Sequence, residues 1–235
     1  MPLVTGVTPD DLKRAAAARA VECIASDTVI GLGTGSTVRP LLELLSARLA
    51  SGALQGVVAV PTSEDTASRC RVLGIPLTTL DDHPRLALAI DGADEIGPRL
   101  DLIKGLGGAL LREKLVALAA RRFIVIADDS KRVRRLGTRA PVPVEVVPFG
   151  WTTHWDFFAR LGALPALRLA PDGQPYRTDG GNYIVDCTFP RGISDPAAVA
   201  RKLARRPGVV EDGLFLRMAH LAFVAGPKGV RQITR

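Results

Sequence analysis

The sequence contains few cysteines: Cys23, Cys70 and Cys187 are the only three among its 235 residues. Their number is odd, and no pair has the Cys-x-x-Cys spacing of a zinc module or a redox motif. Small secreted scaffolds use a denser, even set of cysteines to form disulfides. The composition therefore excludes a disulfide-rich scaffold and a cysteine-based zinc module. It predicts a cytoplasmic protein whose thiols stay reduced.

Long apolar runs are also missing. Stretches such as LALAI (86–90) and FIVIA (123–127) have the length of a strand, whereas a membrane-spanning helix needs about 20 apolar residues. The segment around Asp10 and Asp11 has no apolar core of the kind found in signal peptides. We expect neither a targeting segment nor a membrane partner.

Aromatic residues make up only 5% of the chain, although its formal net charge is +7. Proteins that bind single-stranded nucleic acid stack bases on aromatic side chains, and the basic residues here are scattered. We therefore predict no nucleic-acid partner. The densest basic cluster, at 130–135, fits either a solvated loop or a loop that faces a phosphate.

Short apolar runs alternate with Ala- and Leu-rich segments over the first 130 residues. Thr8, Pro9 and Asp11 form a capping box with proline at the first helical position. Strands that are apolar on both faces and alternate with helices predict a parallel sheet covered by helices. The predicted strands are 28–32, 56–60, 86–90 and 122–126, and the predicted helices are 10–24, 37–50, 64–73 and 108–121.

The pattern changes after about residue 136, where proline and glycine become frequent. Shorter, more polar pieces follow, and the last apolar run, at 221–225, predicts a return to the sheet. The shorter pieces are 142–147, 168–170 and 182–186, with helical pieces near 150–162 and 194–205. We predict one domain formed by 1–136 and 210–235, with a smaller inserted α+β domain at 137–209.

The first candidate loop is Gly31–Thr37, which follows a predicted strand and precedes a helix. Glycines allow a tight turn, and amides at a helix N-terminus attract phosphate. The loop has no Gly-Lys-Ser/Thr of a Walker motif, and Ser36 replaces the third glycine of a dinucleotide fingerprint. A small phosphorylated ligand fits better than NAD, with a plain tight turn as the alternative.

The second candidate loop, Asp91-Gly-Ala-Asp-Glu95, follows the predicted strand at 86–90. Carboxyl ends of parallel strands border the ligand crevice. Asp91 and Asp94 are spaced to converge on one site, where like charges would give an acid and a base. A capping turn and a Mg²⁺ site are alternatives, although no second acidic cluster or histidine has the spacing of a metal ligand set.

The third candidate loop, at 103–108, contains Lys104 before a glycine turn and leads into a predicted helix that carries Glu113. A glutamate on a mostly apolar helix is partly desolvated, which favours its use as a general base. The alternative is a surface glutamate paired with Arg112 or Lys114. Leucines 110, 111, 115 and 118 are expected to contact the core.

In these loops the sequence resembles the A-type ribose-5-phosphate isomerases. The resemblance spans nearly the whole chain, through GLGTGST, PTSEDTA, DGADEI, IKGLGGALLREK, FIVIADDSKRV, PVPVEVVP and GLFL. It implies interconversion of D-ribose 5-phosphate and D-ribulose 5-phosphate in the non-oxidative pentose phosphate branch, with no cofactor and no metal. It also implies a homodimer or homotetramer with a doubly wound, mostly parallel, Rossmann-like sheet and a smaller α+β domain.

The resemblance also implies roles for individual residues. Glu113 is the expected proton acceptor, and Asp91, Asp94 and Lys104 are the other expected catalytic residues. The expected substrate-binding residues are Thr34, Gly35, Ser36, Thr37, Asp91, Gly92, Ala93, Asp94, Lys104, Gly105, Leu106, Gly107 and Lys131.

Three positions depart from the family pattern. Leu106 replaces a common glycine, Leu111 a common threonine, and His220 a common aspartate. None of them removes an expected catalytic group. Rival functions are another phosphosugar enzyme, of the deaminase or lactonase type, and a sugar-phosphate sensor, which would not need Glu113 and Lys104 together.

Overall fold

The computed structural model describes residues 8–235, which fold into two compact units. The first unit contains the described residues up to Gly92, together with Ala119–Ser130 and His220–Arg235. The second unit contains Ala93–Leu118 and Lys131–Ala219. The helices are α1 Pro9–Val21, α2 Arg39–Ala50, α3 Glu64–Val72, α4 Leu110–Ala119, α5 Trp155–Arg160 and α6 Pro196–Ala204, with 3₁₀ turns at Asp129–Lys131 and Trp151–His154.

The strands form three sheets, one of them in the first unit and two in the second. They are β1 Val29–Leu32, β2 Val58–Pro61, β3 Leu88–Asp91, β4 Glu95–Ile96, β5 Leu102–Ile103, β6 Phe123–Asp128, β7 Val142–Val146, β8 Leu164–Leu167, β9 Tyr183–Thr188, β10 Val209–Asp212, β11 Leu214–Phe215, β12 Leu221–Gly226 and β13 Gly229–Thr234.

The first unit is built on a six-stranded sheet of order β13-β12-β6-β3-β1-β2. Its strands pair in parallel except for the terminal β12–β13 hairpin. The chain adds β2 on one side of β1 and β3, β6 and β12 on the other, so the sheet is doubly wound as predicted. The strand order reverses between β1 and β3, and a crevice at such a switch point is where open α/β sheets bind ligands.

Local sequence signals account for the start of this unit. Thr8 and Asp11 form the predicted capping box: the Thr8 N–H donates to the Asp11 carboxylate at 2.9 Å, and the Asp11 N–H donates to Thr8 Oγ1 at 3.2 Å. The alanines of α1 at 16, 17 and 20 are fully buried. Small side chains there allow the helix to pack closely on its neighbours in the unit.

The second unit contains a four-stranded antiparallel sheet of order β10-β7-β9-β8 and a three-stranded sheet of order β11-β5-β4. One core, which includes Ile103, Val144, Phe158 and Val185, is buried in this unit. Strand β7 (Val-Pro-Val-Glu-Val) is buried along its whole length, and its buried Glu145 accepts hydrogen bonds from the side chains of Thr178 and Asn182.

This division differs from the predicted boundaries at 136/137 and 209/210. Residues 93–118, 131–136 and 210–219 belong to the second unit, which is therefore larger than predicted. The physical reason is that β5 pairs with β4 on one side and with β11 on the other and that Glu95 accepts hydrogen bonds from backbone N–H groups within 137–140. Both interactions join segments far apart in the sequence, and composition does not reveal them.

Smaller differences concern individual elements. Helix α4 begins at Leu110 and not at 108, so Glu113 lies in its first turn. Leu110 is fully buried, but Leu115 and Leu118 are 48% and 67% exposed, so the core contacts predicted for these two leucines are wrong. The polar piece predicted at 168–170 follows β8 and is not itself a strand.

The described residues contain no helix that is long and apolar enough to cross a membrane. The three cysteines are free, and Cys70 and Cys187 are buried. Burial raises the pKa of the Cys70 thiol to about 11, which keeps this thiol protonated and unreactive at neutral pH.

Glu95 is expected to be a major source of stability in the second unit. Its fully buried carboxylate accepts hydrogen bonds from the N–H groups of Gly137 at 2.6 Å, Arg139 at 2.5 Å and Ala140 at 2.8 Å. Glu95→Ala should lower the free energy of unfolding by about 3 kcal/mol or more, since three N–H groups lose a charged acceptor. Urea denaturation measures this change.

Glu43→Ala is the matched control, because Glu43 forms an ion pair with Arg14 in which both side chains are about half exposed. Its loss should cost less than about 1 kcal/mol. Equal costs for the two substitutions would contradict the role assigned to Glu95.

Candidate active site

The loop after β1 is shaped by two glycines. The Gly33 N–H donates to the Ile90 carbonyl at 2.9 Å, which ties the loop to the end of β3. Gly35 has φ +109°, a conformation that residues with a Cβ rarely adopt. Its carbonyl accepts from the Val38 N–H at 3.1 Å, and this turn leads directly into α2.

The Thr34 hydroxyl holds this loop through a cluster of hydroxyl groups. Thr34 Oγ1 lies 2.7 Å from Thr62 Oγ1 and donates to Ser63 Oγ at 2.8 Å. Thr66 Oγ1 lies 3.2 Å from Thr34 Oγ1 and donates to the Gly33 carbonyl at 2.8 Å. These contacts of the Thr34 hydroxyl anchor the loop.

The N–H groups of Gly35, Ser36 and Thr37 have no acceptor among residues 8–235. They precede α2, whose N-terminus carries a partial positive charge. Successive free amides at a helix start form a ready site for an anion. This arrangement favours the phosphate site expected from the sequence over a plain turn.

Asp91 ends β3 and is only 3% exposed. Its Oδ1 accepts from the Gly92 N–H at 2.7 Å and from the Thr34 N–H at 3.2 Å. A Cβ placed on Gly33 would lie 1.9 Å from this oxygen, so only glycine at 33 allows Asp91 to adopt its position. The first unit thus brings Asp91, Gly92 and the Thr34–Thr37 loop together at the carboxyl ends of β1 and β3.

Asp94 lies in the second unit, where it organises the third loop. Its N–H donates to the Ile103 carbonyl at 2.8 Å, and its Oδ2 accepts from the Leu106 N–H at 3.0 Å. The carboxylate is half-buried and is fixed by the loop that follows Lys104. Ala93 precedes it and is half-buried as well.

Lys104 and Glu113 form a buried ion pair. Lys104 Nζ lies 3.3 Å from Glu113 Oε1, and the two side chains are 3% and 4% exposed. The Lys104 N–H donates to the Gly213 carbonyl at 2.9 Å, which fixes the lysine backbone beside β11. The Lys104 ammonium also lies 5.5 Å from the centre of the Phe215 ring, within the range of a cation–π contact.

The neighbours of Glu113 on α4 pair with other groups. Arg112 lies 3.4 Å from Asp179, and Lys114 lies 2.7 Å from Glu211. Glu113 itself is buried, so the alternative of a surface glutamate is wrong. Near Lys114, burial raises the pKa of Asp212, and the lysine charge opposes that rise.

The turn from Gly105 to Gly108 separates the lysine from the helix. The Gly108 N–H donates to the Gly105 carbonyl at 3.0 Å, and Gly105 has φ +99°. Leu106 and Gly107 at the centre of the turn are exposed, with Leu106 at 41%. The Leu106 side chain therefore does not fill the interior of the unit.

Lys131 ends the 3₁₀ turn Asp129–Lys131 after β6 and is half-buried. Ser130 in the same turn donates its N–H to Asp128 Oδ1 at 2.9 Å. Arg132 and Arg134 are exposed, as expected for a solvated basic loop. Lys131 is thus the more enclosed cation of this cluster.

Sequence reasoning assigned no site role to several residues that hold these loops. They are Thr62, Ser63 and Thr66 under the first loop, Phe215 beside Lys104, and Arg168, whose guanidinium contacts the third loop. The motif PTSEDTA contains the three hydroxyl residues, and their spacing around the cap of α3 was the available signal. Nothing local marks Arg168.

A switch-point loop with free amides is typical of α/β proteins that hold a small anion. A buried lysine–carboxylate pair is typical of an enzyme that moves a proton. Residues 58–229 match the family model for ribose 5-phosphate isomerase A (phosphoriboisomerase A). The described residues contain no group of three His, Cys, Asp or Glu side chains arranged to hold a metal ion.

Known proteins resemble the chain over nearly its full length. "Ribose-5-phosphate isomerase A" of Roseiflexus castenholzii is 58% identical over 94% of each chain. "Probable ribose-5-phosphate isomerase 3, chloroplastic" of Arabidopsis thaliana is 48% identical over 97% of this chain and 85% of its own length. A solved D-ribose-5-phosphate isomerase in complex with phospho-erythronic acid is 38% identical, with a TM-score of 0.95 over 97% of this chain and 100% of its own. The chain belongs to the ribose 5-phosphate isomerase A family.

Gly33→Ala is expected to lower kcat/KM at least about tenfold, because the new Cβ would displace the Asp91 carboxylate, and small misplacements in a site are costly. Gly180→Ala is the matched control, since the nearest atom to its added Cβ lies 3.5 Å away. Steady-state kinetics of both variants check the prediction. Wild-type kinetics for Gly33→Ala would show that the position of Asp91 is not needed.

Proposed function

We propose that this chain interconverts D-ribose 5-phosphate and D-ribulose 5-phosphate through an enediolate, as part of the non-oxidative pentose phosphate branch. The observation that carries the proposal is the buried Lys104–Glu113 pair, 3.3 Å apart. Family membership supports the substrate. So does the solved relative with phospho-erythronic acid, a four-carbon phosphate whose carboxylate resembles the charge of an enediolate.

Glu113 is the proposed general base. Moving a proton between adjacent carbons needs an acceptor on a short arm, and a carboxylate provides two oxygens. The three histidines of the sequence all lie outside the three loops, so none of them is proposed as the base. His154 is buried beside Arg206, and burial lowers its pKa, while His220 accepts from the Phe123 N–H at 3.2 Å.

The sequence of proton transfers indicates the role of Lys104. Glu113 takes the proton from C2 of the open-chain aldose, and negative charge develops on the C1 oxygen as the enediolate forms. A second proton passes from the C2 hydroxyl to that oxygen, and Glu113 returns its own proton to C1. The ammonium of Lys104 stabilises the developing oxyanion, because it is already fixed beside the base.

The remaining proposed roles fall to other residues of the three loops and to Lys131. The free amides of Gly35, Ser36 and Thr37 bind phosphate, Asp91 and Asp94 assist binding and opening of the sugar ring, and Lys131 supplies a further cation. The proposed substrate-binding set is Thr34, Gly35, Ser36, Thr37, Asp91, Gly92, Ala93, Asp94, Lys104, Gly105, Leu106, Gly107 and Lys131, without a cofactor.

An assay for ribulose 5-phosphate formed from ribose 5-phosphate tests the function directly. Glucosamine 6-phosphate, as an alternative substrate, tests the deaminase rival. A chelator should leave the rate unchanged, and loss of activity on chelation would contradict the metal-free mechanism.

We further propose a homodimer or homotetramer in the cytoplasm. The reduced cysteines support the cytoplasm, although a relative named chloroplastic shows that members occur in other compartments. Light scattering on the purified protein gives the mass of the oligomer. A monomeric mass would contradict the proposed homodimer or homotetramer.

Glu113→Gln is expected to lower kcat by about 10²- to 10⁴-fold, because the amide keeps the size of the side chain but cannot accept the C2 proton. Exchange of the C2 proton in heavy water measures the chemical step apart from product release. Glu22→Gln, an exposed change on the surface, is the control. Near wild-type exchange in Glu113→Gln would place the base elsewhere.

Lys131→Ala is expected to raise KM about tenfold with a smaller change in kcat. The reason is that the variant loses one charge-assisted hydrogen bond to the substrate, and this bond is equally strong in the ground state and the transition state. Arg134→Ala removes an exposed charge from the same loop and should leave KM unchanged. An unchanged KM in Lys131→Ala would remove this residue from the substrate site.

A further inference from the structure

Arg168 reaches the third loop from the segment that follows β8. Its Nη1 donates to the Gly105 carbonyl at 3.1 Å and to the Leu106 carbonyl at 3.0 Å. Its Nε donates to Asp186 at 2.9 Å, and its Nη2 also pairs with that carboxylate. The guanidinium side chain is 13% exposed, so these bonds are largely shielded from water.

The backbone around Arg168 is fixed as firmly as its side chain. The Arg168 N–H donates to the Ile184 carbonyl at 2.8 Å, and Asp186 lies in β9 opposite Ala166 of β8. A two-pronged guanidinium–carboxylate contact restricts the plane of the guanidinium. The position from which Arg168 contacts the turn is therefore set by the β8–β9 pair.

The two carbonyls that Arg168 binds determine where the amides of the turn point. All described peptide bonds are trans, so each carbonyl points opposite to the N–H of the same peptide. The Leu106 N–H, opposite the Gly105 carbonyl, donates to Asp94. The Gly107 N–H, opposite the Leu106 carbonyl, points away from Arg168 and has no acceptor among residues 8–235.

Two further contacts join the same segment to this region. A Cβ placed on Gly108 would lie 2.1 Å from the Tyr176 hydroxyl oxygen, so this hydroxyl packs against the glycine. Asp179 lies 3.4 Å from Arg112 of α4. The Arg168 guanidinium lies 5.9 Å from the centre of the Tyr176 ring. The segment from Arg168 to Asp179 thus contacts the turn, the start of α4 and its first turn.

We propose that Arg168, oriented by Asp186, is a positioning residue that holds the Gly105–Gly108 turn so that the Gly107 N–H faces the substrate and Lys104 stays aligned with Glu113. The catalytic part of this proposal rests on the proposed function, whereas the part that concerns the turn does not. The first is tested by kinetics, and the second by backbone hydrogen exchange.

The kinetic experiment compares Arg168→Ala with Arg177→Ala in the full chain. Arg177 lies in the same segment and contacts the Gly181 carbonyl and Tyr183 instead of the turn, so it controls for loss of one charge. Arg168→Ala should lower kcat and C2-proton exchange by about 10- to 100-fold, with a smaller change in KM. Arg177→Ala should stay within about twofold of wild type.

Chemical rescue separates positioning from a merely structural role. Millimolar guanidinium chloride should restore activity of Arg168→Ala several-fold by occupying the vacated site, whereas sodium chloride at equal ionic strength should not. Arg168→Lys should remain impaired, because an ammonium cannot reproduce the fork that binds two carbonyls and a carboxylate. A loss of kcat without rescue would overturn the proposal and leave a structural role.

Hydrogen exchange read by mass spectrometry needs no activity. Arg168→Ala should speed exchange of the amides in the peptide that covers 104–109, while peptides of the first unit stay as in wild type. If Arg168→Ala does not fold, Arg168→Lys and Asp186→Asn carry the same comparisons. If hydrogen exchange and kinetics in Arg168→Ala are both unchanged, the proposal is overturned. If the wild-type protein has no isomerase activity but exchange is still faster in Arg168→Ala, only the proposed function is refuted.

Discussion

The buried pairing of Lys104 with Glu113 places a constraint on the second unit. Removing an ammonium or a carboxylate from water costs several kcal/mol for each ion, and only close mutual contact offsets this. Each member must therefore be held by backbone as well as by charge: Lys104 by the hydrogen bond to Gly213 in the three-stranded sheet, and Glu113 by the first turn of α4. Loss of either partner would remove a counterion that lies 3.3 Å from a buried charge.

In the first unit, neutral groups anchor the Thr34 side chain of the loop after β1. Thr34, Thr62, Ser63 and Thr66 anchor the loop through hydroxyls, which add no charge that would repel or trap a phosphate. Asp91 already occupies the Thr34 N–H. The later amides of the loop lie nearest the start of α2, where the helix dipole is most favourable for the phosphate in the proposed function.

The sequence predicted features that have a local signal. The strand at 86–90 was visible because it is apolar on both faces, and the glycine loops because strands and helices flank them. β4 and β5 were missed because two-residue strands have no periodicity. β13 was missed because the exposed strand Gly229–Thr234 has no apolar stripe. Arg168 was missed because its partners in the turn are 62 and 63 residues away along the chain.

The motif Asp91–Glu95 shows how closely binding and architecture are joined in this protein. Within five residues the chain passes from the first unit to the second, and each of the three carboxylates accepts backbone N–H groups. Asp91 fixes the first loop, Asp94 the third, and Glu95 the segment at 137–140. These hydrogen bonds tie the orientation of each carboxylate to the backbone of a separate loop. Substituting any of the three moves a loop as well as removing a charge. A lower rate in such a variant therefore reflects the displaced loop as well as the lost carboxylate. Measuring the proton-transfer step separately distinguishes the two effects.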